Sequence, residues 1–234
     1  MSFSTRAKLP HNIRPIISTV LVLFGLLAFC GLFILTDQAY YNFVNLHFPN
    51  IGTSATLATL YGVVSRLHIL LPCILLVVWQ PRFFGFQFGK IRQYWRMLLI
   101  MLVVNCGVIA VYLWLTGGGT PYSGNQWLVT EAITVPVIEE TFWRGIVLML
   151  MLILLKRFQP KDCSNHLAVW STGIAFGLLH LANAFAGVPF QFVLLQCLNA
   201  VVWGVVYSYA RMKTESVYPS MIMHAAMNLF VVFF

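Results

Sequence analysis

The sequence divides into seven apolar runs, each near the roughly 20 residues that a helix needs to cross the hydrocarbon core of a bilayer. They extend approximately over Ile16–Leu35, Ala55–Trp79, Met97–Leu115, Trp127–Leu155, His166–Phe185, Val188–Ala210 and Val217–Phe234. Only 9% of the 234 residues are charged, against about 25% in soluble domains, which excludes a soluble globule. The pattern predicts an all-α, polytopic membrane bundle of about seven transmembrane helices, forming a single integral membrane domain over residues 1–234. The first run is longer than a signal-peptide core of roughly 7–15 residues, and Thr36-Asp37-Gln38 after it is not a small-residue cleavage site, so it is expected to stay as the first helix. The fourth run is long and contains Pro136, which predicts a kink or an interfacial start. The seventh is barely long enough to span.

The formal net charge of +8 follows membrane topology rather than a nucleic-acid surface. A nucleic-acid reader gathers its cations on one solvated face, whereas here they alternate between apolar runs. Arg6, Lys8 and Arg14 precede the first run; Arg82, Lys90, Arg92 and Arg96 follow the second; Lys156, Arg157 and Lys161 follow the fourth; Arg211 and Lys213 follow the sixth. Residues 36–54, 116–126 and 186–187 hold no Lys or Arg. Cytoplasmic loops carry the basic excess, so the N-terminus is expected in the cytoplasm and the C-terminus outside, in a multi-pass cell-membrane protein of the bacterial inner-membrane kind. The five cysteines, Cys30, Cys73, Cys106, Cys163 and Cys197, lack metal-knuckle or disulfide spacing and read as packing residues. Gly117-Gly118-Gly119 precedes no Lys-Ser/Thr pair, and so reads as an external loop rather than a phosphate cradle.

Charge inside such runs is costly and points to function. Three of the six acidic residues, Glu131, Glu139 and Glu140, fall in the fourth run, and the basic residues well inside apolar runs are Arg66 and Arg144. Arg144 follows Glu140 by four residues, one helical turn along the same face, with the carboxylate on the favoured N-terminal side. An ion pair is expected there. Glu139 is rotated by about 100° from Glu140, so one carboxylate is left for another task. The alternative is that both are structural, tied to Arg144 and Arg66. In the fifth run Phe176 and His180 share a face with Asn183 three residues on, and in the last run His224 and Asn228 are four apart. A carboxylate and an imidazole can together deprotonate a water, while a second imidazole and an amide N–H can donate to a developing oxyanion. No His-Glu-x-x-His helix is present, which excludes a zincin. Two His and a Glu still leave a catalytic metal open.

These residues resemble the CAAX protease and bacteriocin-processing (Abi, or CPBP) family, which includes the type II CAAX prenyl endopeptidases. The family's Glu-Glu-x-x-x-Arg is matched by Glu139-Glu140 to Arg144, with Trp143 before the Arg and Gly145 after it. Its Phe-x-x-x-His is matched by Phe176 to His180, and its His-x-x-x-Asn by His224 to Asn228. The stretch Tyr209 to Pro219 also looks like the family's connection into the last motif, and the resemblance covers residues 127–231. It implies an intramembrane endopeptidase in which Glu139 acts as general base with His180, His224 and Asn228 form the oxyanion site, and Glu140, Arg144 and Phe176 support them. It further implies a peptide or protein substrate, lipid-modified in the prenyl-processing members, or a role in bacteriocin processing or immunity. No cofactor is expected; were the enzyme metal-dependent, Glu139, His180 and His224 would be the ligands of an ion such as zinc. The competing readings are a non-catalytic membrane immunity or binding protein and a proton-coupled transporter, although a transporter's two related halves are not evident.

Overall fold

The computed structural model describes residues 13–47, 54–116, 124–186 and 188–233. Arg6 and Lys8 of the basic arm, Gly117-Gly118-Gly119 and Gly187 lie outside the described residues. Every regular element among the described residues is helical. Each apolar run has a helical counterpart, but several boundaries move. The first helix, α1 (Ile13–His47), has 35 residues and continues through the stretch 36–47 expected as a loop. Polar side chains there serve the helix itself: Thr36 Oγ1 donates to the carbonyls of Leu32 and Phe33, and Gln38 bonds Asn42 one turn on.

The second run is broken into α2 (Ala55–Val64) and α3 (Leu67–Trp79), bent by 63°. Arg66 stands at the break with non-helical backbone (φ −114°, ψ 7°). Gly62 allows α2 to approach Thr130 closely, since a Cβ there would stand 2.6 Å from Thr130 Cγ2. The third run is α4 (Ile91–Thr116). The fourth is interrupted: a 3₁₀ turn (Asn125–Trp127), a π turn (Thr130–Thr134), α5 (Val135–Glu140), a second π turn (Thr141–Val147) and α6 (Leu148–Leu155). Pro136 sits in the first turn of α5, where its missing N–H costs least. The fifth run starts earlier than expected, as α7 (Lys161–Leu179), and passes into a 3₁₀ stretch at His180–Ala186. The last two are α8 (Phe190–Thr214) and α9 (Tyr218–Phe233).

Among the described residues four helices are long and apolar enough to cross a membrane, or five if the bent α2–α3 pair is one span. The seven expected spans exceed this number because wide turns divide the fourth segment and α9 has only 16 residues. The protein is a multi-pass membrane protein. Its packing centre joins α1, α6, α7 and α8 through Leu26, Leu148, Leu155, Ala168, Phe176 and Ala200. α7 and α8 meet almost backbone to backbone: a Cβ on Gly173 would lie 2.5 Å from Val205 N, and one on Gly177 2.6 Å from Val201 N. Small residues four apart are the usual means of bringing two helices so close in lipid.

Three sets of contacts join the connections in pairs. The 80–90 loop is tied to the end of α8 through Lys90 N to Thr214 O (2.7 Å), Arg211 Nη2 to Phe83 O (3.1 Å) and a Lys90–Glu215 ion pair. That pairing raises the Lys90 ammonium above its ordinary pKa, chiefly through the hydrogen bond to Glu215. Gln159 Nε2 donates to Pro15 O and Thr19 Oγ1 at the start of α1. Gly124 N donates to Val232 O near the end of α9.

Candidate active site

The three motifs converge on one cavity of about 940 Å³ among the helices, lined mainly by apolar side chains. Glu139, His180, His224 and Asn228 all contribute to its wall, together with Phe176. Sequence spacing predicts that Glu139 and Glu140 diverge, and they do. Glu140 is fully buried, whereas Glu139 is partly exposed to the cavity.

Glu140 is the hub of the buried side. Its Oε1 accepts from Arg144 Nη1 at 3.0 Å, the expected i, i+4 ion pair, and also lies 2.9 Å from His224 Nδ1. A carboxylate oxygen can only accept, so Nδ1 of His224 carries a proton and donates it to Glu140. Nε2 of His224 is left for the cavity and becomes a donor when the ring is an imidazolium. Arg144 is fully buried and packs its guanidinium 4.2 Å from the centre of the Phe176 ring and 5.5 Å from that of Tyr207. Cation–π attraction of this kind strengthens when both groups are desolvated. Among the described residues its Nε and Nη2 have no hydrogen-bond partner; the Ser220 hydroxyl of α9 donates to Val217 O and also acts on the Glu140 carboxylate.

Phe176 connects the halves of the site. Its ring lies edge-on to His180 (centroids 4.9 Å apart) and to His224 (6.3 Å). His180 is the first residue past α7, at the start of the 3₁₀ stretch rather than inside the helix. Its Nδ1 lies 2.9 Å from Phe176 O. That carbonyl can only accept, so the neutral ring keeps its lone pair on Nε2. Glu139 Oε2 is buried without a hydrogen-bond partner among the described residues. Asn228 Nδ2 donates to the carbonyl of Glu131 at 2.8 Å, which fixes the amide and leaves its second N–H uncommitted.

Two residues that sequence reasoning passed over complete the support. Asn105 of α4, fully buried, donates through Nδ2 to the Tyr207 hydroxyl (2.6 Å) and to Met223 O (3.1 Å), just before His224. Tyr207 in turn lies against His224, with centroids 6.0 Å apart. A lone Asn in an apolar run was the available signal. Glu139, His180 and His224 share the cavity, but among the described residues no three His, Cys, Asp or Glu side chains converge closely enough to hold a metal ion.

Residues 121–230 match the family described as type II CAAX prenyl endopeptidase Rce1-like. No match to a curated protein or to a solved structure was found. This segment, which carries all three motifs, supports assignment of the chain to the CAAX protease family of membrane proteases.

Proposed function

We propose that the chain is an intramembrane endopeptidase that hydrolyses a peptide bond with a water activated by Glu139 and His180, and that its substrate is a prenylated C-terminal peptide. The observation that carries this reading is the convergence of two complementary sets in one cavity. An unbonded carboxylate oxygen and an imidazole with a free Nε2 stand on one side, and an anchored carboxamide and a carboxylate-bound imidazole on the other. Glu139 takes a proton from water as its oxygen attacks the carbonyl carbon, with His180 Nε2 accepting from the same water. The oxyanion receives hydrogen bonds from Asn228 Nδ2 and from the imidazolium Nε2 of His224, whose positive charge the Glu140 carboxylate balances. The intermediate collapses with cleavage of the C–N bond, and the proton held by Glu139 passes to the leaving amine. The mainly apolar wall suits a lipid-modified tail.

The chain crosses the membrane seven times with its N-terminus in the cytoplasm, and the paired connections support this. The contacts join the basic 80–90 loop to the basic end of α8, the 156–161 connection to the start of α1, and the Lys- and Arg-free connection at Gly124 to the end of α9. Each pair belongs to one side under that topology. A bacterial inner membrane is the setting that the wider family suggests.

The test compares peptides released from a farnesylated C-terminal peptide by membranes holding the intact chain or a Glu139→Gln variant. Release by the intact chain alone is expected. Equal release by a well-folded Glu139→Gln protein removes the mechanism, and no release by either favours a non-catalytic binding protein.

A further inference from the structure

Among the described residues the cavity wall contains one Lys or Arg side chain, Arg66, and the proposed chemistry does not use it. Its Nη1 donates to Gly62 O and Ser65 Oγ, both at 3.3 Å. Nε and Nη2, the edge of a guanidinium that grips a carboxylate with two parallel bonds, donate to no acceptor among the described residues. No carboxylate lies within ion-pair distance of it among the described residues, in contrast to Arg144, whose charge is met by Glu140.

The acids of the same cavity have other positions or partners. Asp37 Oδ1 lies 3.0 Å from His68 Nε2, without hydrogen-bond alignment. Glu139 faces the candidate water site. Glu131 acts on Arg66 electrostatically from beyond ion-pair distance, so it offsets the cation without covering its fork. A guanidinium near the middle of a spanning segment costs several kcal/mol. Here it sits at the α2–α3 break, where irregular backbone at membrane depth lines a cavity.

We propose that Arg66 receives the free α-carboxylate of the substrate, so that the enzyme recognises a chain end rather than an internal sequence. Among the groups common to all peptides, only the C-terminus is anionic, and Arg66 is the cation of the cavity shaped to hold a carboxylate by two bonds. This rests on the endopeptidase reading, and makes Arg66 a specificity residue in the same cavity wall as the Glu139 and His180 pair.

The test uses two farnesylated peptides ending Cys(farnesyl)-Val-Ile-Met, one a free acid and the other a C-terminal carboxamide. Their binding to Glu139→Gln protein in neutral-lipid nanodiscs is measured without turnover. The acid should bind more tightly than the amide by on the order of 10–100-fold, the range of a charge-assisted bond. Adding Arg66→Gln should erase that difference while leaving the amide's Kd unchanged, which also shows that the variant is folded; Arg66→Lys should keep part of it. Equal Kd values for acid and amide, no measurable binding of the acid, or an acid-to-amide ratio unaltered by Arg66→Gln overturns the proposal. Repeating the measurement in nanodiscs containing anionic lipid is the second arm: an effect of Arg66→Gln that appears there and not in neutral lipid overturns the proposal too, in favour of a lipid phosphate. Turnover of the same peptides by the intact chain is the separate arm. Discrimination without cleavage counts against the protease reading alone, and cleavage without discrimination counts against Arg66 alone.

Discussion

Arg144 offers the sharpest separation of stability from chemistry. Its guanidinium and the Glu140 carboxylate are both fully buried and share a 3.0 Å contact, with His224 on the same oxygen. Arg144→Met keeps most of the side-chain volume against Phe176 and Tyr207 but leaves Glu140 without its cation. Removing one partner of a buried pair costs about 3–5 kcal/mol. At about 2–4 °C per kcal/mol for a chain of this size, the midpoint of thermal unfolding should fall by about 6–20 °C. The Glu140→Gln/Arg144→Met double variant strands no charge, so it should recover most of that loss, because replacing a buried pair is often close to neutral. Its activity should stay low. A neutral carboxamide in place of the Glu140 carboxylate can bond His224 but cannot balance an imidazolium, and the oxyanion then loses a charged donor. Thermal unfolding and turnover of the intact chain, Arg144→Met, Glu140→Gln and the double variant in one detergent complete the cycle. The reasoning fails if Arg144→Met is as stable as the intact chain, or if the double variant regains turnover together with stability.

Glu139→Gln should lower turnover by at least the roughly 10²–10⁴-fold of general-base help, read from peptide release at unchanged membrane yield. Asn228→Ala should lower kcat by on the order of 10²–10³ with little change in KM, since an oxyanion bond strengthens in the transition state; a change confined to KM refutes that role. Chelation should leave turnover of purified protein unchanged, and activity lost on zinc removal and regained on its return would instead make His180 and His224 ligands. Gly177→Ala should lower stability and turnover together, because its Cβ would run into Val201 Cγ2 and stand 2.6 Å from Val201 N, pushing α7 off α8; normal unfolding and activity would show that the contact yields easily.

Features set by fixed spacing were legible in the sequence. The Glu140–Arg144 pair and the placing of Phe176 against His180 follow from four residues making one turn. The bond from His224 to Glu140 was not, because the two are 84 positions apart and only the packing of α9 against the fourth segment brings them together. Asn105 and Tyr207 look like ordinary core residues until the hydroxyl and the carboxamide are seen to meet. α1 outran its apolar run because a helix ends where its hydrogen bonds end, and Asp37, Gln38 and Asn42 lower the hydropathy without breaking them. The α2–α3 break was hidden for the opposite reason. Hydropathy runs on through Ser65 and Arg66 while the backbone does not.

The two π turns that bracket Glu139 and Glu140 make this site sensitive to insertion and deletion as well as to substitution. A π turn closes its hydrogen bond one residue later than an α turn, so the stretch from Thr141 to Val147 holds a residue that a regular helix would not need. Deleting one residue there allows ordinary helical geometry and leaves the apolar face of α6 intact, but it rotates the groups on either side of the turn relative to one another. A chain so shortened should still insert and fold, and the Glu140–Arg144 pair can still form at i, i+3 or i, i+4 spacing, while the residues past the deletion are shifted relative to Glu139 and Glu140. Under the proposed mechanism, turnover should therefore respond to residue count within Thr141–Val147 as well as to residue identity.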